Sequence, residues 1–223
     1  MIPSDDYERM GWENDNQVSK RPPPNLSHLQ ISSCYFQTSA KVLTYFFNLN
    51  APITSLEFSV CYVVESFPPD VELPSTLQSL KITSCHALTT ISGEFLSSCS
   101  NSLRELTIEN CDNLVCLPRS LSTLQSLRIL SLLECPKLVI LKDCGLPTAL
   151  THLTIKNCDE MKAVSNLRLT KLTSLTHLEL EEFQETSRHE AGCLPESIEE
   201  LIIWDLPRLE SLSGVLPTLK NLR

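Results

Sequence analysis

The sequence predicts an α/β solenoid: short parallel β-strands line a concave face, and irregular loops and short helical turns cover the convex one. Three observations predict it. A frame of apolar-x-x-apolar-x-apolar recurs nine times, the last cut short. Its starts are separated by 27, 24, 26, 24, 23, 25, 23 and 21 residues. A fixed position three residues past the frame holds cysteine in the first six frames, as Cys34, Cys61, Cys85, Cys111, Cys135 and Cys158, then Phe183 and Leu206.

In chain order the frames are Leu26-Leu29-Ile31, Ile53-Leu56-Phe58, Leu77-Leu80-Ile82, Leu103-Leu106-Ile108 and Leu127-Leu130-Leu132. They continue as Leu150-Leu153-Ile155, Leu175-Leu178-Leu180, Ile198-Leu201-Ile203 and Leu219-Leu222. The spacing fits a leucine-rich-repeat horseshoe and is too short for ankyrin, tetratricopeptide or HEAT arrays. Alternation within x-apolar-x-apolar sends two side chains to one face of a strand and their neighbours to the other. A single repeat cannot bury its apolar face, so consecutive repeats stack into a shared core. Nine strands spaced by about 4.8 Å predict a sheet roughly 40 Å long. Past the cysteine a second apolar pair recurs, as in Leu88 and Ile91 or Leu114 and Leu117, but Gln37 and Ala40 break it in the first repeat. Leu-Pro pairs at 73–74, 117–118, 146–147, 194–195 and 216–217 fall in the return segments, where proline breaks regular helix. Residues 1–24 are polar and end in Arg21-Pro22-Pro23-Pro24, so the array is expected over 25–223 behind a linker or frayed segment.

With 18 basic and 27 acidic residues, the chain carries a net charge of −9, which argues against a nucleic-acid partner. No apolar run approaches the length of a membrane span, and the acidic first twenty residues hold no signal-peptide core, so a cytoplasmic location is expected. The sequon at Asn25-Leu26-Ser27 carries little meaning without export. Ten cysteines would suggest disulfides in a secreted domain, yet six occupy the repeat position. There a small side chain with a weak S–H donor suits a chain turning inward, so a reduced structural ladder is expected. A zinc site is not, because no C-x2-C pair is present. Cys99, Cys116, Cys144 and Cys193 lie off the ladder as packing residues, with Cys193 the most exposed thiol expected.

No catalytic constellation emerges. The chain has neither a P-loop nor a G-x-S-x-G elbow, and His189-Glu190 has no second histidine at zinc-helix spacing. Cys85-His86 is the tempting nucleophile pair, but a ladder cysteine points inward. The expectation is therefore no enzyme, no metal and no cofactor.

The outward strand positions form three columns. One reads His28, Ser55, Ser79, Glu105, Ile129, His152, His177, Glu200; the middle one Gln30, Glu57, Lys81, Thr107, Ser131, Thr154, Glu179, Ile202; the third Ser32, Ser59, Thr83, Glu109, Leu133, Lys156, Glu181, Trp204. Three features interrupt the polar background. Ile129 and Leu133 are expected to be exposed on one rung. His152, Lys156 and His177 form a weakly basic group, with the histidines read as solvated side chains. Ile202 and Trp204 sit in an acidic rim that includes Glu179 and Glu181. This has the composition of a partner patch, or of a surface covered by a cap. The acidic stretch over 179–200 is a solvated face or meets a basic partner.

Leu-x-x-Leu-x-Ile-x-x-Cys-x-x-Leu-x-x-Leu, as in 103–117 and, with Leu in place of Ile, in 127–141, resembles the C-terminal repeats of plant intracellular NLR immune receptors of the coiled-coil class. The likeness covers residues 25–223. It implies recognition of a pathogen effector, a guarded host protein or the receptor's own nucleotide-binding domain, and autoinhibition of a nucleotide switch. The chain contains no P-loop, so it is expected to be the sensing region, or a truncated relative, of such a receptor. The second reading is a stand-alone adaptor or decoy, including a ubiquitin-ligase substrate adaptor lacking its F-box.

Overall fold

The computed structural model of the protein describes residues 25–33, 51–62, 64–67, 71–139, 145–161, 167–181, 194–204 and 219–223. Cys34, Cys144, Cys193, Phe183, Leu206, the Gln37–Ala40 departure and the 1–24 segment lie outside the described residues.

Each of the first eight frames makes one five-residue strand. These are β1 (His28–Ser32), β2 (Ser55–Ser59), β3 (Ser79–Thr83), β4 (Glu105–Glu109), β5 (Ile129–Leu133), β6 (His152–Lys156), β7 (His177–Glu181) and β8 (Glu200–Trp204). They form one parallel sheet in the order β1-β2-β3-β4-β5-β6-β7-β8. The register pairs equivalent repeat positions throughout, for example Ser79 with Glu105, Glu105 with Ile129, Ile129 with His152 and His152 with His177. The protein is thus a repeat solenoid with little helix. Its helical pieces among the described residues are α1 (Gly93–Ser97) and 3-10 turns at Arg119–Thr123 and Leu169–Lys171.

The register follows from burial. In β3 to β7 the second and fourth strand residues are buried and the other three half-exposed. Sliding one strand by a residue would exchange those faces, so the apolar pairs lock the stack. Leu80, Ile82, Leu130 and Leu132 have no exposed surface. The leading apolar residue of each frame sits just ahead of the strand and joins the same core, as do Leu77, Leu103, Leu127, Leu150 and Leu175. Toward the N-terminal end an aromatic cluster thickens it. Phe67 and Phe95 stack at 4.2 Å, and Phe58 tilts against Phe67 at 4.9 Å.

The proline pairs close the return segments. The backbone N–H of Leu77 donates to the Pro74 carbonyl at 2.9 Å, and the same three-residue turn joins Leu150 to Pro147 and Ile198 to Pro195. These three units therefore set the entry into the next strand, whereas Leu117-Pro118 opens the 3-10 turn at Arg119–Thr123; the pre-proline leucines Leu73, Leu117 and Leu146 are buried. In α1, Ser92 caps the first turn by accepting from the Phe95 N–H at 3.2 Å.

The exit from each strand uses a device that the frames do not announce. Ser33, Val60, Ser84, Asn110, Glu134 and Asn157 all have φ between 51° and 56°. Each directly precedes the repeat's cysteine. A left-handed residue turns the chain inward and aims its N–H at the next rung: Val60 donates to the Thr83 carbonyl at 3.0 Å, Asn110 to Leu133 at 2.9 Å. Serine and asparagine suit four of these positions, but Val60 is β-branched and strained there. Replacing Val60 with Asn should raise stability by about 1 kcal/mol and the melting midpoint by about 2–4 °C. Leu130→Ala, which opens a cavity in the centre of the stack, should cost about 2–5 kcal/mol. Thermal unfolding of the two variants checks both signs.

Candidate functional site

Inward, the cysteines are spent on structure. Cys61, Cys85, Cys111, Cys135 and Cys158 are buried. Each thiol donates to the carbonyl two residues earlier, from 3.2 Å (Cys135 to Leu133) to 3.7 Å (Cys61 to Ser59). Cys135 and Cys158 also reach carbonyls of earlier rungs, Ile108 and Leu132. The neighbouring ladder thiols, and then burial, raise the Cys111 and Cys158 pKa values. Off the ladder, Cys99 is fully buried and burial pushes its thiol up to about 11. The adjacent His86 places its Nδ1 2.9 Å from Asp112 Oδ2 on the next rung. No group of three or more His, Cys, Asp or Glu among the described residues is arranged to hold a metal ion.

Outward, the three columns are continuous across the sheet. Ile129 and Leu133 are half-buried instead of exposed. Ile129 is flanked by Glu105 and His152 and Leu133 by Glu109 and Lys156, and strands about 4.8 Å apart leave a side chain between them little room for water. Lys156 does not join the histidines. Its Nζ reaches Glu179 Oε1 on the next strand at 2.7 Å, which neutralises its charge within the face. The same Glu179 oxygen accepts from Trp204 Nε1 at 3.3 Å, so a diagonal chain Lys156–Glu179–Trp204 crosses three strands. The indole nevertheless remains 55% exposed. Ile202 is half-buried beside Glu179, and Glu181 is half-buried in the same column as Trp204. A second cross-strand pair, Lys81–Glu109 at 3.4 Å, joins β3 to β4.

The histidines are not independent solvated side chains. His152 and His177 stack with ring centroids 4.1 Å apart and planes 8° from parallel. Each Nδ1 faces the hydroxyl of the preceding residue, Thr151 at 2.9 Å and Thr176 at 2.8 Å. Glu200 Oε2 stands 3.4 Å from His177 Nε2. Burial, and then the neighbouring His177 charge, lowers the His152 pKa, with Glu200 opposing. The frames alone did not reveal this group, although a signal was present: Ser27-His28, Thr151-His152 and Thr176-His177 repeat a hydroxyl-histidine pair at the strand entry.

The six glutamates of the face (Glu57, Glu105, Glu109, Glu179, Glu181, Glu200) outnumber its two lysines, Lys81 and Lys156. Among the described residues no helix is long and apolar enough to cross a membrane. No family model matches the sequence, and no curated protein matches it.

Thiol chemistry separates a structural ladder from a reactive site. In the native protein Cys61, Cys85, Cys111, Cys135 and Cys158 should label only as the chain unfolds, with half-buried Cys116 ahead of them. Mass mapping of alkylated peptides at neutral pH, with and without denaturant, checks the order.

Proposed function

We propose that the protein is a non-catalytic protein-recognition module whose binding surface is the open face of the β-sheet, centred on β5 to β8. The observation that carries this reading is the contrast between the two faces. Inward positions repeat the same Leu, Ile and Cys rung after rung, whereas outward positions in strict register differ at nearly every strand. Uniform inward residues serve stacking, and varied outward ones supply a surface of distinct chemistry at fixed spacing. Toward β8 that surface combines a 55% exposed indole, a half-buried isoleucine and a rim of carboxylates, the composition of a binding centre.

The repeat type supports a more specific reading. Its frame and cysteine position suit a leucine-rich-repeat horseshoe of the kind found in plant intracellular immune receptors, with this face concave. The module would then sense a pathogen effector, a guarded host protein or the receptor's own nucleotide-binding domain, in the cytoplasm. The stand-alone adaptor or decoy is the second reading, and the same face would serve it.

The test is capture of plant-leaf proteins on the full chain, identification of a partner by mass spectrometry, and titration of that purified partner against variants. Trp204→Ala combined with Ile202→Ala should weaken binding at least about tenfold, while Tyr62→Ala and Val115→Ala, exposed outside the strands, should leave it unchanged. The reverse pattern would move the binding surface off the sheet.

A further inference from the structure

The stacked histidines carry a chemical consequence because their tautomers are set by their neighbours. The Thr151 hydroxyl donates its one proton to the Arg128 carbonyl at 3.1 Å, and the Thr176 hydroxyl donates to the Thr151 carbonyl at 3.1 Å. Neither hydroxyl has a proton left for the adjacent ring, so Nδ1 of His152 and of His177 must be the donor. In the neutral rings the lone pair then sits on Nε2. Since both rings are held the same way and lie parallel, the two Nε2 acceptors stand side by side at about the ring separation of 4.1 Å.

Glu200 makes this arrangement incomplete. With His177 neutral, its Nε2 lone pair and Glu200 Oε2 face each other across 3.4 Å with no hydrogen between them. Such a pair of acceptors is relieved by a proton on Nε2 or by a cation from outside. Among the described residues the nearby cations are held elsewhere: Arg128 Nη1 by the Gln125 carbonyl at 3.0 Å, and Arg223 Nη2 by Glu199 Oε2 at 3.3 Å. On β5 the neighbour is Ile129, which carries no charge. On β6, Lys156 is held by Glu179 at 2.7 Å. Glu179 and Glu181 on β7 and Glu200 on β8 are all acidic.

We infer that His152, His177 and Glu200 form an acceptor site for a primary ammonium, the lysine side chain of a basic segment on a protein partner. The geometry suits it. An ammonium about 2.9 Å from two acceptors one ring separation apart makes hydrogen bonds roughly 90° from each other, within reach of its tetrahedral donors, and the third donor turns to Glu200. The excess of carboxylates over lysines on the face favours a basic partner by charge. Proton and lysine compete for the same lone pairs, so binding strengthens as pH rises through the histidine range and weakens as it falls. This inference rests on the open face being the recognition surface.

Two measurements test it. Nitrogen-15 NMR of the histidine side chains of the full chain at about pH 7.5 should show His152 and His177 protonated at Nδ1. Protonation at Nε2 alone would overturn the site whatever the partner. Titration with N-acetyl-hexalysine amide should give weaker binding at about pH 5.5 than at about pH 7.5, because a proton on Nε2 removes an acceptor. His177→Gln and Glu200→Gln should each weaken binding at the higher pH and flatten this dependence. Glu57→Gln, at the far end of the same face, should change neither. Equal affinity at both pH values, or an equal loss in Glu57→Gln and Glu200→Gln, would reduce the effect to the diffuse acidic field and overturn the site. The Trp204 and Ile202 variants judge the open-face reading separately, since neither residue belongs to the acceptor group.

Discussion

No single repeat of this chain can bury its own apolar face, and everything else in the structure depends on how it is covered by the next. A strand of five residues offers two inward side chains and one entry leucine, far too little for an independent core. Stacked in register, those residues become continuous columns in which Leu80, Leu106, Leu130 and Leu153 touch across the rungs. The stacking leaves no freedom of register, because a slip of one residue would turn every glutamate and lysine of the face inward. The outward columns are therefore as well aligned as the core that imposes them.

The coil must also leave the strand and return, and the exits of β2 to β5 are solved the same way. A left-handed residue turns the chain, its N–H bonds to the next rung, and the following cysteine fills the corner while its thiol satisfies a carbonyl of the strand just left. Glycine is nearly absent from the chain, so the left-handed positions fall to serine and asparagine, and at Val60 and Glu134 to residues with no preference for that conformation. The thiol is small enough for the corner and polar enough to bond there. That combination accounts for buried cysteines without recourse to disulfides, metal or catalysis.

On the open face the same spacing that stabilises the core forces side chains of neighbouring strands into contact. Charges respond by pairing across strands, as in Lys81–Glu109 and Lys156–Glu179, where partly exposed ion pairs contribute about 1 kcal/mol or less to stability and mainly set orientation. Rings respond by stacking, as in His152 and His177. Trp204 is held by Glu179 and still presents its face to solvent. In the recognition role proposed for this surface, orientation within the face is prepared before any partner arrives, which lowers the ordering cost of binding.

Eight strands, their order, the inward residues and the three outward columns were legible in the sequence, because a solenoid makes contacts between equivalent positions of adjacent repeats and the period alone names them; the ninth frame, over 219–223, forms no strand. The buried position of the cysteines followed from the same period. What the period could not show was how outward neighbours would choose among one another. Adjacent rungs group Lys156 with the histidines, yet it lies on Glu179; Ile129 and Leu133 look exposed on a single strand and are half-covered by the strands on either side. The left-handed exits were hidden because serine, valine, asparagine and glutamate share no side-chain pattern, only a backbone angle. The histidine tautomers depend on hydroxyl protons given to carbonyls of the preceding rung, 23 and 25 residues away in the chain. Local pattern sets which face a residue occupies, whereas partner choice on that face is a competition among side chains brought together only when the rungs stack.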